Sequence, residues 1–369
     1  MTLAPALSRL RRAGSRLLCA VVRMIRPGPA GATAAQLPQV VALLRRAFGY
    51  RGEKRYGCPL TACELAWLSR FERLRDRLSW DRPQRILIRR QQAWGDVLLA
   101  TSVLPPLRRR HPGAILYFQT ARPEVLEGNP FVDFVLDRLP ETIRFDRVID
   151  LDLAYERSPT RSVVDCYAEA AGVEPGECQP FIRQAAIADE ALGSYVVFHT
   201  TAWPNWVGRS WKVERWQEVI DWLRGQGLRV VSLGEVERMG LACDHHYGRS
   251  LGLPEMAGLI GRARLFIGGD SMPMHIAQTL GTPGVAFFGS VRPELRLIGT
   301  SITPVTAAGL ECLGCLHRQP PPVDELPVCE TGELACESQV TVEQFLDAIR
   351  ARLGSSPAVS APHLIAQDT

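Results

Sequence analysis

Between positions 85 and 289, short apolar runs alternate with longer stretches in which apolar residues recur every three to four positions. Ile86-Leu87-Ile88 is a buried-strand signal, Val97 to Arg109 has helical spacing, and Ala114 to Phe118 is apolar again. A further strand, RVIDLDL, covers 147–153. After position 190 the pattern restarts: a strand at 195–200 (YVVFHT), a helix around 213–225, a strand at 228–235 (LRVVSLGE), a helix around 254–262 and a strand at Arg264–Ile267. Alternation of this kind predicts parallel sheets covered by helices on both faces, and the restart predicts two such domains. Ligands of such sheets bind beyond the carboxyl ends of the strands, so the cleft between the domains is the expected site.

The densest signal is GGDSMPMHIAQTLGTP at 268–283. It predicts a strand leaving through Gly268-Gly269 into a helix capped by Ser271, with Pro273 in the first turn. Gly281 ends the helix, Pro283 blocks its return, and Val285–Phe288 forms the next strand. The free N–H groups at such a helix start attract anions.

Composition adds boundaries. The chain has 369 residues, is 46% hydrophobic and carries a formal charge of +4. Residues 1–52 hold nine arginines and no acid, so the remainder is net acidic, which argues against a nucleic-acid partner. Only Lys54 and Lys212 are lysines, and arginine carries nearly all the positive charge. Leu7, Leu10, Leu17, Leu18, Val21, Val22 and Ile25 share a helical face opposite Arg9, Arg12, Arg16 and Arg23. That pattern suits a basic amphipathic helix on an anionic membrane surface, and equally a plain leader. RPGPAGATAAQ (26–36) reads as a linker, followed by helical segments around 37–48 and 61–79. The expected organisation is a basic helical extension and linker (1–80), two Rossmann-like domains (81–188 and 189–354) and a disordered tail (355–369). No apolar run is long enough to span a bilayer, and the expected location is cytoplasmic, peripheral on the inner membrane if the first helix binds it.

There is no G-x-G-x-x-G after the first strand and no G-x-x-x-x-G-K-[ST], so a dinucleotide site and a P-loop lack support. The loop QQAWGD instead puts one carboxylate, Asp96, at the head of a helix. The helix dipole alone also favours an acid there. Ten cysteines without an export signal suggest a reducing compartment. Four of them, Cys312, Cys315, Cys329 and Cys336, are spaced C-x2-C-x13-C-x6-C, which suits a structural zinc or iron as well as free thiols. The others, Cys166 and Cys243 among them, read as ordinary cysteines.

Four stretches together resemble glycosyltransferase family 9, the ADP-heptose lipopolysaccharide heptosyltransferases. They are ILIRRQQAWGDVLLATSVLPPLRRRHPGA (86–114), VLEGNPFVDFVL (125–136), HTTAWPNWVGRSWKVERW (199–216) and LFIGGDSMPMHIAQTLGTPGVAFFG (265–289). The resemblance runs from about 84 to 353. It implies an α/β protein of GT-B fold, with two Rossmann-like domains facing across a cleft, acceptor on the first and nucleotide-sugar donor on the second. By position, Asp96 matches the general base. Thr200 and Thr201 match donor-phosphate threonines, and Arg209 a phosphate-binding lysine, with Lys212 as a second cation for that role. Glu235 matches an acid on the donor ribose, and Asp270, Ser271 and His275 the donor-phosphate turn. Met272 departs from the family's glycine, where backbone approaches phosphate closely.

The implied activity is inverting transfer of heptose from ADP-heptose to an acceptor hydroxyl, in lipopolysaccharide core synthesis, without a catalytic metal. Alternatives are a protein acceptor, as for the iron-binding heptosyltransferases that modify autotransporters and carry a comparable cysteine cluster, an idle GT-B binding module, or an epimerase-like nucleotide-sugar enzyme. Arg89, Arg157 and Arg161 are candidate contacts for an anionic acceptor, solvated surface arginines being the plain reading.

Overall fold

A computed structural model describes Ser69 and residues 83–139, 143–187, 192–200, 207–318 and 328–355. The basic amphipathic helix, the linker, the helical segments at 37–48 and 61–79 (Ser69 apart) and nearly all of the tail lie outside the described residues, as does Thr201. The elements in chain order are β1 (Arg85–Arg89), α1 (Trp94–Ala100), α2 (Leu104–Arg110), β2 (Ile115–Gln119), β3 (Phe134–Leu136), β4 (Arg147–Asp150) and α3 (Val163–Ala171). Then follow β5 (Tyr195–His199), α4 (Val213–Gly225), β6 (Arg229–Ser232), β7 (His245–His246), α5 (Leu253–Arg262), β8 (Leu265–Gly269) and α6 (Met272–Leu280). The chain continues with β9 (Gly284–Phe287), β10 (Ile302–Val305), α7 (Cys315–Arg318), α8 (Ala335–Ser338) and α9 (Val342–Ser355).

Contacts divide the chain into two units. Among the described residues, the first holds those up to Gln91 and those of Leu104–Asp150, and the second holds Gln92–Val103 and those from Leu151 onward. The two sheets thus fall in different units, and α1 groups with the second.

In the first unit four parallel strands run in the order β3-β2-β1-β4, with Ile86 opposite both Leu116 and Arg147. Ile86, Leu87 and Ile88 are buried without alternation, as expected for a parallel strand covered on both faces. Its core joins Leu87, Ile115, Tyr117, Phe134, Leu136 and Ile143. Asp133 ties the β2–β3 pairing to α2, accepting from the Leu116 N–H at 2.8 Å and from Arg108 at 2.6 Å.

The second unit is a six-stranded parallel sheet, β10-β9-β8-β5-β6-β7. The chain winds outward in both directions from the β5–β8 pair, so the topological switch point lies at the carboxyl ends of these two strands. Helix α4 covers the sheet with Trp216, Val219, Ile220 and Leu223. Trp216 meets Trp211 edge-on at 4.9 Å and Phe345 of α9 at 5.0 Å, and the Trp211 indole N–H donates to the Val340 carbonyl at 3.2 Å. Each such fully buried aromatic contributes about 1.5–3 kcal/mol.

The helix expected from Val97 to Arg109 is interrupted. Thr101–Val103 form a 3₁₀ turn between α1 and α2. Pro105 and Pro106 have no N–H to donate to residues 101 and 102, so the α-helical ladder cannot run through this point. The division between the two units falls at the same turn. The strand expected over 147–153 also ends early, at Asp150, and Leu153 takes a positive φ of 59°.

Candidate donor site and base

The turn from β8 into α6 sits at the switch point, and its geometry explains the Gly-Gly pair. A Cβ on Gly268 would stand 1.9 Å from the His199 carbonyl oxygen, so any side chain would push β8 off β5. Asp270 follows, 2% exposed. Arg209 donates from Nη2 to both its carbonyl and its Oδ2, each at 2.8 Å. His275 places Nε2 3.5 Å from Oδ1. Gln278 donates its amide N–H to His275 Nδ1 at 2.9 Å, which assigns the imidazole proton to Nε2, facing the carboxylate. Burial alone would raise the Asp270 pKa, but Arg209, then His275 and Arg296, hold it well below the usual carboxylate range. A permanently ionised acid repels phosphate. What it does here is hold Arg209 at the start of α6, the end of a helix where an anion is favoured.

Ser271 stands at the N-cap position of α6, yet its hydroxyl does not cap the helix. It donates instead to the Gly269 carbonyl and lies 3.1 Å from His199 Nδ1. Burial pushes the His199 pKa down to about 4. Thr200, at the end of β5, is 2% exposed. Met272 opens α6, and Pro273 and Gly281 take the first-turn and terminal positions that the sequence predicts. Lys212 is exposed at the N-cap of α4. Glu235, in the turn after β6, accepts from Arg238 at 2.9 Å and Arg249 at 3.0 Å.

Asp96 lies in the first turn of α1, and α1 packs directly on α6. Gly95 makes this possible, since a Cβ there would stand 2.8 Å from His275 Cδ2. Asp96 does not cap its helix. Its Oδ2 accepts the Tyr155 hydroxyl at 3.1 Å. The Arg296 guanidinium lies over the Tyr155 ring at 4.6 Å from the centroid. Gln278 fixes the Arg296 segment from α6, donating to the Arg296 carbonyl at 3.2 Å and accepting from the Ile298 N–H at 2.9 Å. Asp96, Asp270, His275 and Arg209 therefore share one neighbourhood within the second unit. Tyr155, Gln278 and Arg296 belong to it too; Gln278 lies inside the 268–283 motif without being singled out there, and no motif or spacing marks Tyr155 and Arg296.

The acceptor candidates scatter. Arg89, at the carboxyl end of β1, is ion-paired with Asp150 at the end of β4, within the first unit. Arg161 pairs with Glu169 of α3, and Arg157 is exposed in the loop before α3.

All four clustered cysteines line one pocket, together with Gly208, Ser290 and Leu334. Burial, then Glu337 and the neighbouring thiols, push the Cys336 thiol up to about 12. Among the described residues no three His, Cys, Asp or Glu side chains gather at metal-ligand spacing, and the described cysteines are free of disulfides. Four thiolates are the donor chemistry that suits tetrahedral zinc or iron, but as placed the side chains do not close around one point. Glu337, next to Cys336, accepts the Gly208 N–H at 3.1 Å, so the pocket adjoins the loop that carries Arg209.

The profile of glycosyltransferase family 9 (heptosyltransferase) matches residues 161–322. This stretch of the chain is similar to the family 9 glycosyltransferases. The segment includes Arg209, Asp270, His275 and Arg296, while Asp96 lies before it. The chain is 31% identical over 140 residues to lipopolysaccharide heptosyltransferase 3 of Escherichia coli K12, covering 35% of this chain and 40% of that one. It spans between 32% and 40% of the length of the curated relatives it matches.

Its structure resembles the iron-containing dodecameric glycosyltransferase TibC of enterotoxigenic E. coli, with TM-score 0.62, 18% identity, and 74% and 79% of the two chains covered. It also resembles the family 9 glycosyltransferase of Veillonella parvula, with TM-score 0.57, 19% identity, and 74% and 98% covered. These likenesses establish the α/β GT-B class with two parallel sheets. Among the described residues no helix is long and apolar enough to cross a membrane.

Proposed function

We propose that this chain is a family 9 inverting glycosyltransferase that moves a heptose from ADP-heptose to an acceptor hydroxyl in the lipopolysaccharide core. The relatives' names and the TibC complex with ADP-D-β-D-heptose support the donor. The observation that carries the reading is the packing of α1 on α6, which brings the Asp96 carboxylate to the helix start where Asp270 holds Arg209.

The chemistry follows from that pairing. Asp96 takes the acceptor hydroxyl proton as the oxygen attacks the anomeric carbon from the face opposite the nucleotide. The bond from that carbon to the phosphate oxygen breaks, and ADP leaves with the electron pair. Arg209 and the α6 N–H groups meet its growing charge, Lys212 adds a second cation, and Thr200 and Thr201 contribute hydroxyls. Glu235 serves the ribose. Arginine in place of lysine keeps the charge and adds fork geometry.

Cys312, Cys315, Cys329 and Cys336 are proposed to hold one structural zinc or iron, supported by their shared pocket and by the iron content of TibC. When bound, it would cross-link the segments around α7 and α8 and take no part in transfer. The basic amphipathic segment before the linker is proposed as a membrane-surface contact.

The test is incubation of the purified chain with ADP-heptose and a panel of acceptors, read by mass spectrometry. The panel holds inner-core oligosaccharides from deacylated lipopolysaccharide and hydroxyl-bearing peptides. A heptose added to the oligosaccharide, with inverted anomeric configuration, is expected. Addition to peptide alone moves the acceptor to protein, and no ADP release with any acceptor or with water overturns the reading.

A further inference from the structure

Arg296 presents an energetic puzzle. It is 8% exposed, and its Nη1 has no hydrogen-bond partner. A buried guanidinium with an unmet donor is costly, and an apolar side chain of similar volume would avoid that cost. Stability alone therefore does not explain it. Its surroundings do. The guanidinium lies over the Tyr155 ring, 4.6 Å from its centroid; the Tyr155 hydroxyl donates to Asp96, and Gln278 ties the Arg296 backbone to the same helix that carries His275. Burial opposes its charge, but Tyr155 and the Asp270 and Asp96 carboxylates outweigh this and keep the cation firmly protonated.

We propose that Tyr155 and Arg296 are positioning residues for the base: Tyr155 fixes one oxygen of the Asp96 carboxylate, and Arg296, stacked on the ring, fixes Tyr155. This rests on Asp96 acting as the base. The physical need is clear from the local fold. Asp96 sits in a seven-residue helix without a side-chain cap, just before the 3₁₀ turn, so its own helix constrains it weakly. A carboxylate that must meet a hydroxyl proton loses rate steeply with small displacements, and a hydrogen bond to one oxygen sets the plane in which the other can accept. The phenol is itself held by a cation–ring contact, which is strengthened where both groups leave water. Neither residue needs to touch substrate. Both lie in the same compact unit as the base and the donor turn.

The experiment uses the full chain in four forms besides the parent: Tyr155→Phe, Arg296→Lys, the double variant and Asp96→Asn. ADP release from ADP-heptose is measured with the best inner-core acceptor, or with water if none supports transfer. Turnover is expressed per donor-binding molecule, counted by calorimetric titration. Tyr155→Phe keeps the ring and removes only the donated hydrogen bond. It is expected to lower kcat roughly 10–100-fold with donor KM and melting temperature near the parent's. Arg296→Lys keeps the charge and loses the planar face, and a smaller loss in kcat is expected. The double variant is expected to match Tyr155→Phe, because Arg296 reaches Asp96 only by holding the Tyr155 hydroxyl in place. A purely structural role would instead lower the folded fraction and leave turnover per donor-binding molecule unchanged. Parent-like kcat in Tyr155→Phe, while Asp96→Asn is slow, overturns the proposal alone. Parent-like kcat in Asp96→Asn overturns the base assignment on which it rests. Additive losses in the double variant remove Arg296 from the chain of contacts.

Discussion

Gly95 lies against the imidazole of His275, so closely that a Cβ on the glycine would stand 2.8 Å from Cδ2. One residue before the candidate base thus touches the helix start that frames the candidate donor site. Because Cδ2 belongs to a ring fixed by Gln278 and facing Asp270, it cannot yield freely. Gly95→Ala is expected to cost about 1–3 kcal/mol in urea denaturation through this overpacking. Turnover should fall with it as α1 shifts. A variant as stable and active as the parent would show that the contact is loose.

Asp96→Asn separates chemistry from helix stabilisation. Asparagine keeps the size of the side chain and can still accept from Tyr155, but has no basicity. A stable protein with donor affinity near the parent's and transfer slower by roughly 10²–10⁴-fold is expected. The donor contacts Arg209 and Asp270 are untouched by the change. Transfer within a few-fold of the parent would remove Asp96 from the chemistry.

His199 makes stability pH-dependent in a defined window. Its pKa falls from 6.5 to about 4 on folding, so the unfolded chain binds the proton first as pH drops. The sign follows: the contribution is complete above the unfolded value and is lost as pH falls from 6.5 towards about 4. A shift of this size is worth about 3 kcal/mol. Urea midpoints for the parent should drop between about pH 7 and about pH 4.5, and His199→Gln should flatten that part of the profile. The contribution of Asp270, whose pKa is lowered on folding, is lost only as pH falls past its unfolded value of 3.8, at the foot of this window. Parallel profiles for the two proteins would contradict the assignment.

The cysteine pocket predicts about one zinc or iron per chain after purification without chelator. Cys312→Ser with Cys315→Ser should abolish the metal and lower the melting temperature, with kcat per folded molecule changed much less. Metal analysis showing none, with four freely titrating thiols, would leave the cluster as ordinary cysteines.

The sequence by itself determined the alternation of strands and helices, and most of these elements form where the pattern puts them. Helix α4 spans Val213–Gly225 as read, and α6 ends at Gly281. Such features depend on local periodicity, proline and glycine, which a single stretch of chain carries. The Gly-Gly exit, Asp270, Arg209 and His275 were legible because they fall in compact motifs. Short elements such as β7 and β10, with little pattern of their own, were not.

Only the tertiary structure decided that Ser271 turns to His199 instead of capping α6, because the β5–β8 pairing brings that imidazole to its hydroxyl. It alone set Tyr155 on Asp96, 59 residues apart, and Arg296 on Tyr155. It alone grouped α1 with the second unit, where proline breaks the helix expected from Val97 onward. The reason is physical. Periodicity reports which face of an element is buried, whereas a contact between distant side chains depends on how separate elements pack, and no local pattern encodes that distance.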